Sequence, residues 1–340
     1  MSAQAGSSKI DIGGDEMSVG VLSESSSVAQ SNYLSGARRR GYSPEEFRRS
    51  GTISDMVGVS RTALNWEWPL TAAIGVRFYG GIVLCADSQI TYGNGHKRIG
   101  SKVAYSSPGN GDYVLAVTGA GVIAFMEEFF QNAADSIELG DRSVGAAKSS
   151  LQKSLIDIYS TAIDPYRRRY GGDDGEIEMI ISYRSPSGES AFWKTLSASL
   201  LRASSPECVG SGGPIAKFIA GPMCHDKLRR ESAVAIGVNA IRYAKNLDSK
   251  CGGPTLVAVV LEKGSAHLLP QLRIGKLEDF LSKCDLASSE LIVKCSDIAV
   301  ADDEIEQAYN AYRAEVERLS EELRGPLANS LRKAFGPPCA

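Results

Sequence analysis

The chain has 340 residues, 43% of them hydrophobic and 23% charged. That range fits a globular protein of one large or two small domains and excludes a collagen, a simple coiled coil or a chain disordered throughout. Its 37 Lys and Arg against 40 Asp and Glu give a net charge of −3, and no basic run is long enough to track phosphates, which argues against DNA or RNA binding.

No apolar run reaches the ~18 residues needed to cross a bilayer. The first residues carry Asp11, Asp15, Glu16 and Glu24 and match neither a secretory signal nor an Arg-rich transit peptide. A cytoplasmic protein with no membrane contact is expected. The seven cysteines, Cys85, Cys208, Cys224, Cys251, Cys284, Cys295 and Cys339, form no Cys-x-x-Cys pair and suggest reduced thiols, not a disulfide framework. His96, His225 and His267 are far apart, and Cys224 beside His225 falls short of a four-ligand site, so no metal and no cofactor are expected.

Residues 1–65 are rich in Ser and Gly with little apolar periodicity. Such a segment buries too little surface to offset its ordering entropy and reads as a mostly disordered arm or propeptide. Ser43-Pro44-Glu45-Glu46 has the form of a short helix start, and Arg38 to Arg40 read as a solvated basic cluster, with a partner contact as the alternative.

From Thr71 the pattern changes. Thr71-Ala-Ala-Ile-Gly-Val-Arg-Phe alternates as a strand, Gly80-Gly81 turns, and Ile82 to Ala86 reads as a buried strand, predicting a hairpin. Val103 to Tyr105 and Tyr113 to Val117 predict a second pair around Ser107 to Asp112. Val122, Phe125, Phe129 and Ala133 then recur at helical spacing, as do Val144, Ala147, Leu151, Leu155, Ile158 and Ala162 before Pro165, where the second helix is expected to end.

Met179 to Tyr183, Ser190 to Lys194 and a segment leading to Val209 resume the strand pattern. Helices follow at about 213–221 and 228–247, then strands at Thr255 to Leu261 and Ala266 to Leu269. Grouped strands and grouped helices predict an α+β fold of mainly antiparallel sheets with helices outside, not a doubly wound one. The stripe Ile305, Tyr309, Tyr312, Val316, Leu319 and Leu323 predicts a C-terminal amphipathic helix within 300–340. At under three heptads it is expected to dock on the domain more readily than to build an intermolecular coiled coil. No role is apparent for the segment between 270 and 300.

Two glycine turns stand between a strand and a helix. Thr118-Gly119-Ala120-Gly121-Val122-Ile123-Ala124 has the formal Gly-x-Gly-x-x-Ala spacing of a dinucleotide loop, but no second strand with an acidic end follows. The glycines instead suggest a close backbone approach with N–H groups facing something negative. Gly210-Ser211-Gly212-Gly213 places a serine in such a turn, and Asp248-Ser249-Lys250-Cys251-Gly252-Gly253 ends a helix and leads into a core strand.

Taken together, residues 71–269 resemble the proteasome β-subunit family and its bacterial two-component relatives, threonine peptidases of the N-terminal-nucleophile class. Thr71 with its strand and Gly-Gly turn matches the family's opening. Ala86-Asp87-Ser88 matches its Ala-Asp-Ser/Gly motif, sixteen residues beyond the Thr. Lys102 falls at the family lysine with one residue fewer between. Gly119 matches the oxyanion-hole glycine, Ser211 the Gly-Ser-Gly serine and Asp248 the aspartate before Ser-Gly-Gly. The resemblance implies a four-layer αββα sandwich over 66–299 and a peptidase acting through an acyl-enzyme on Thr71. Its catalytic group would be Thr71, Asp87, Lys102, Gly119, Ser211 and Asp248. Ile90, Gly100, Val117 and Gly121 would line a pocket for uncharged side chains. It also implies a peptide or unfolded-protein substrate, a homo- or hetero-oligomeric ring and an ATPase unfoldase as partner.

The chemistry is coherent. A threonine hydroxyl needs an adjacent base, and a freed N-terminal amine, with a reference pKa of ~7.7–8.0, supplies one on the same residue. Two positions depart from the family. Cys251 stands for the usual Ser, and Leu70, after Trp66-Glu67-Trp68-Pro69, stands for the usual Gly before the Thr. While residue 70 remains attached, Thr71 has no free amine. A catalytically silent subunit with an assembly role, and an amidase of the same nucleophile class, are therefore the competing expectations.

Overall fold

The structure, a computed structural model, describes residues 71–91, 96–107, 113–170, 176–262, 266–297 and 299–322, with the single positions 324, 325, 329 and 332. The expected arm at 1–65, the Leu70 junction, most of the turn before Tyr113, and Leu323 lie outside the described residues.

Period-two alternation builds the first hairpin. β1 (Ala73–Phe78) and β2 (Gly81–Ala86) pair antiparallel, from Ala73 opposite Ala86 to Phe78 opposite Gly81. Gly80 turns the chain at φ +93°, where a residue without Cβ is at no disadvantage. A short hairpin follows, β3 (Gln89–Thr91) with β4 (Lys97–Ile99). Next come β5 (Val103–Ser106), β6 (Val114–Gly121), β7 (Ile177–Arg184), β8 (Ser190–Leu196), β9 (Ser199–Arg202), β10 (Glu207–Val209), β11 (Leu256–Leu261) and β12 (Ala266–Leu268). One five-stranded sheet has the order β10-β1-β2-β11-β12 and the other β5-β6-β7-β8-β9, and every neighbouring pair is antiparallel.

The helices are α1 (Ile123–Leu139), α2 (Val144–Ile158), α3 (Asp164–Tyr170), α4 (Gly213–Ala220), α5 (Arg230–Leu247), α6 (Gln271–Ser296) and α7 (Asp302–Glu322). Alternate residues of each strand face opposite ways, and three apolar clusters separate accordingly. Ile74, Val76, Val83, Cys85, Val257 and Val259 cluster with Ala216, Ala240, Ile241 and Ile274 of α4, α5 and α6. Leu115, Val117, Met179, Ile181 and Tyr183 cluster with Phe129, Ile137, Leu151 and Leu155 of α1 and α2. Ile82, Leu84, Val114, Ala116, Ile180, Phe192, Ala258 and Val260 fill the space between the sheets. The result is the αββα layering. A Cβ on Gly75 would stand 2.5 Å from the Phe192 ring, so glycine is what lets the sheets approach there.

Four elements differ from the sequence expectation. The β3/β4 hairpin is additional. The segment leading to Val209 is two strands, β9 closing one sheet and β10 opening the other. The second helix does not end at Pro165: a π-helical turn, Tyr159–Ile163, hands over to α3, whose second residue is Pro165, a first-turn position where the missing N–H is tolerated. The covered face of α7 is also offset from the expected stripe. Ala308 is buried and Leu319 packs on the first cluster, while Tyr309 and Val316 remain 52% and 39% exposed.

Candidate active site

The antiparallel pairing of β1 and β2 brings the start of one beside the end of the other, and that contact positions Thr71 and Asp87. The Asp87 N–H donates to the Ala72 carbonyl at 3.1 Å, and the Ala72 N–H donates to Asp87 Oδ1 at 3.0 Å. Lys102 comes from the other sheet, one residue before β5. Its Nζ donates to Asp87 Oδ1 at 2.9 Å and to Thr71 Oγ1 at 2.5 Å. Thr71 is 3% exposed, Asp87 0% and Lys102 4%.

A cation and a carboxylate removed from water are tolerable only when paired and hydrogen-bonded. Asp87 meets that condition, since the Gly252 N–H donates to its second oxygen at 3.0 Å. Burial lowers the Lys102 pKa below its ordinary value, and Asp87 opposes that shift without cancelling it. The ammonium touching Oγ1 favours the alkoxide form of the hydroxyl, as a nucleophile requires.

A second group flanks the first. Gly210 has φ +84°, and a Cβ there would lie 2.3 Å from the Thr71 carbonyl oxygen. That oxygen accepts from the Gly212 N–H at 3.1 Å, so the Gly210-Ser211-Gly212 turn clasps the Thr71 backbone. Asp248 stands at the C-terminal end of α5. Its Oδ1 accepts from the Lys250 N–H at 3.0 Å and its Oδ2 from Cys251 Sγ at 3.5 Å. Burial pushes the Asp248 carboxyl up, but hydrogen bonds from Ser211, the Lys250 amide and Cys251 outweigh it and leave the pKa below the usual value. Burial, followed by the charges of Asp87 and Asp248, pushes the Cys251 thiol up to about 12.

Gly119 does not lie in a turn between strand and helix as expected; it is a strand residue near the end of β6, and α1 begins only at Ile123. Its orientation follows from the ladder. Met179 turns its N–H to Thr195 Oγ1 at 2.8 Å on the β8 side. The residue opposite it on β6, Gly119, therefore directs its peptide toward the other edge, where β5 has ended at Val103 and Lys102 follows. A Cβ on Gly119 would lie 2.4 Å from the Glu178 carbonyl oxygen.

Of the expected pocket residues, Ile90 and Gly100 are brought together by β3 and β4: a Cβ on Gly100 would overlap Ile90 Cδ1 at 2.2 Å. Val117 lies in the cluster facing α1 and α2, and Gly121 closes β6 at φ +123°.

Sequence reasoning missed three supports. Glu178 Oε2 accepts from the Gly210 N–H at 2.8 Å. Gln89 Nε2 and Lys97 Nζ donate to the carbonyls of Lys250 and Ser249, both at 3.2 Å. These contacts span 32, 161 and 152 residues, so no local pattern announces them. Among the described residues no group of three or more His, Cys, Asp or Glu could hold a metal ion, and no helix is long and apolar enough to cross a membrane.

No family model matches the chain. It is 27% identical over 231 residues to the proteasome subunit beta of Mycolicibacterium vanbaalenii, covering 61% of this chain and 70% of that protein. Among solved structures it is similar to Anbu (ancestral beta-subunit) from Yersinia bercovieri, with a TM-score of 0.53 at 11% identity, covering 64% of this chain and 95% of that one. A Gly-1 mutant of Anbu from Hyphomicrobium sp. strain MC1 gives 0.55 at 13% identity, covering 67% and 100%. A helical assembly of the Anbu complex from Pseudomonas aeruginosa gives 0.52 at 14% identity, covering 62% and 92%. At these identities the structural likeness is one of fold.

Proposed function

We propose that this chain, which resembles the proteasome β-subunit family and has the proteasome-like N-terminal-nucleophile fold, is a threonine-type endopeptidase with Thr71 as its nucleophile. The observation that carries the reading is the buried line Asp87–Lys102–Thr71, with Lys102 Nζ 2.5 Å from Oγ1. A scaffold subunit has no need of a desolvated cation aimed at a hydroxyl.

The reaction begins once the bond between Leu70 and Thr71 is cut. The freed α-amine takes the Oγ1 proton while Lys102 stabilises the forming alkoxide. Oγ1 attacks the substrate carbonyl, and the oxyanion of the tetrahedral intermediate accepts from the Gly119 N–H, a contact worth ~2.7–4 kcal/mol where such donors have been removed. Collapse transfers the proton to the leaving amine and leaves an ester on Thr71. Water, deprotonated by the same amine, releases the acyl group and restores the hydroxyl. Ser211 and Asp248 orient the amine, and Ile90 and Gly100 offer an apolar wall to the side chain before the cut.

The partners in this reading are a peptide or unfolded protein as substrate, further copies or sister subunits in an oligomer, and an ATPase unfoldase, in the cytoplasm. Leu70 favours a second reading, an uncut subunit that serves assembly, because a bulky residue after Pro69 hinders the self-cleavage that a Gly permits.

Intact mass and N-terminal sequencing of the protein from its native host test the choice. A mature chain beginning at Thr71 that cleaves fluorogenic peptides, with cleavage abolished by Thr71→Ala, supports the peptidase. A chain that keeps its arm after maturation supports the silent subunit. Cleavage of small amides in preference to peptides would replace the endopeptidase with an amidase.

A further inference from the structure

The segment 248–253 carries Asp248 and, through the Gly252 N–H, holds Asp87. It is also anchored by α6, the helix that follows the matched stretch 71–269. Glu278, on α6, accepts at Oε1 from Lys245 Nζ at 2.5 Å and from Thr255 Oγ1 at 2.6 Å. Lys245 also donates to the Gly253 carbonyl at 3.1 Å. Thr255 is fully buried, and the Lys245 and Glu278 side chains are mostly so.

Gly253 is the tight point of the segment. Its φ is +72°, and a Cβ there would stand 2.6 Å from both Ser88 Oγ and Ile99 Cδ1. Immediately before it, the Gly252 carbonyl accepts from the N–H groups of Ser88 and Gln89. One carboxylate of α6 therefore grips the segment through a side chain on each flank, Lys245 on α5 and Thr255 at the foot of β11. The same segment carries the Gly252 N–H bond to Asp87.

We infer that Glu278 is a positioning residue: with Lys245 and Thr255 it fixes the 248–253 segment, so that α6, a helix for which the sequence suggested no role, sets the placement of Asp87 and Asp248. The effect on catalysis rests on the peptidase reading; the mechanical coupling does not. A carboxylate that accepts two donors and aligns a third contact acts as a unit, so losing any member should release the same segment.

Backbone amide exchange of the full chain, followed by mass spectrometry, tests this directly in Glu278→Leu, which removes the acceptor, in Lys245→Met and in the double variant. Exchange in 249–253 should rise about tenfold in each single variant and no further in the double, with β2 and β11 unchanged. In chains freed at Thr71, kcat for a fluorogenic peptide should fall about tenfold with KM within about twofold, the pattern of a misplaced catalytic group. Unchanged exchange in 249–253 in both single variants overturns the inference. So does a uniform rise across the whole domain, which would mean only lost stability. If the freed wild-type chain cleaves no peptide, the peptidase reading fails, while the exchange result still decides the coupling.

Discussion

Replacing Lys102 with Met deletes the cation while keeping most of the side-chain length. Asp87, with no exposed surface, would keep the Ala72 and Gly252 N–H bonds at 3.0 Å each and lose the ammonium at 2.9 Å. Breaking a buried ion pair from one side costs about 3–5 kcal/mol. The two retained amide bonds place this case at the lower end, about 3 kcal/mol. At ~2–4 °C per kcal/mol for a domain of this size, thermal unfolding should shift down by about 6–12 °C. The double variant Lys102→Met/Asp87→Asn removes both charges; the amide oxygen keeps one of the two backbone N–H bonds while its NH2 cannot accept the other, so it should recover only part of the loss. Losses measured by urea and thermal unfolding would refute the argument if the single variant fell by less than about 1 kcal/mol, or if the two substitutions were additive.

Three further outcomes follow from the same geometry. Peptide hydrolysis by the freed chain should rise with pH as the Thr71 amine loses its proton, at a midpoint below ~7.7–8.0 because a cation stands close by. It should fall again below pH 10.5, because burial lowers the Lys102 pKa from that value; a plateau extending past pH 10.5 contradicts this. Cys251 is raised from 9.0 to about 12, so its stabilising contribution is complete below pH 9 and lost between pH 9 and 12. Cys251→Ser should flatten the decline of urea midpoints over that window. Gly210→Ala should lose more stability than Gly80→Ala. Both place an L side chain at positive φ, at about 1–2 kcal/mol, but only the former drives a Cβ against the Thr71 carbonyl oxygen; nothing lies within 4 Å at Gly80. Equal urea midpoints for the two would contradict the clasp on Thr71.

The layered sheets were legible because their strands bury alternate residues on different layers: Ile74 and Val76 face helices while Ala73 and Gly75 face the other sheet, and the sequence carries that period openly. β3 and β4 were not legible as strands, since Gln89-Ile-Thr and Lys97-Arg-Ile are three residues each and none of the six is buried. The Asn94-Gly95 dipeptide between them is the one signal that would have suggested a hairpin. Gly119 was misplaced because a glycine pair after a strand reads as a turn, whereas the pairing with β7 carries the strand on to Gly121. The six residues named by resemblance are spread over more than 170 positions, from Thr71 to Asp248. Three of them, Thr71, Asp87 and Lys102, meet in direct contact, and Ser211 with Asp248 forms a second contact. Glu178, Gln89, Lys97 and Glu278 were invisible, since ordinary polar residues at large separations acquire meaning only when the chain has folded around them.

If Thr71 is the nucleophile, its Oγ1 becomes covalently acylated. Chains beginning at Thr71 should be incubated with a peptide β-lactone, digested, and the adduct located by mass spectrometry. One adduct is expected, on the peptide that starts with Thr71, and it should disappear in Lys102→Met. An adduct on Cys251, or none at all on a folded chain with a free Thr71 amine, would contradict that role for Thr71.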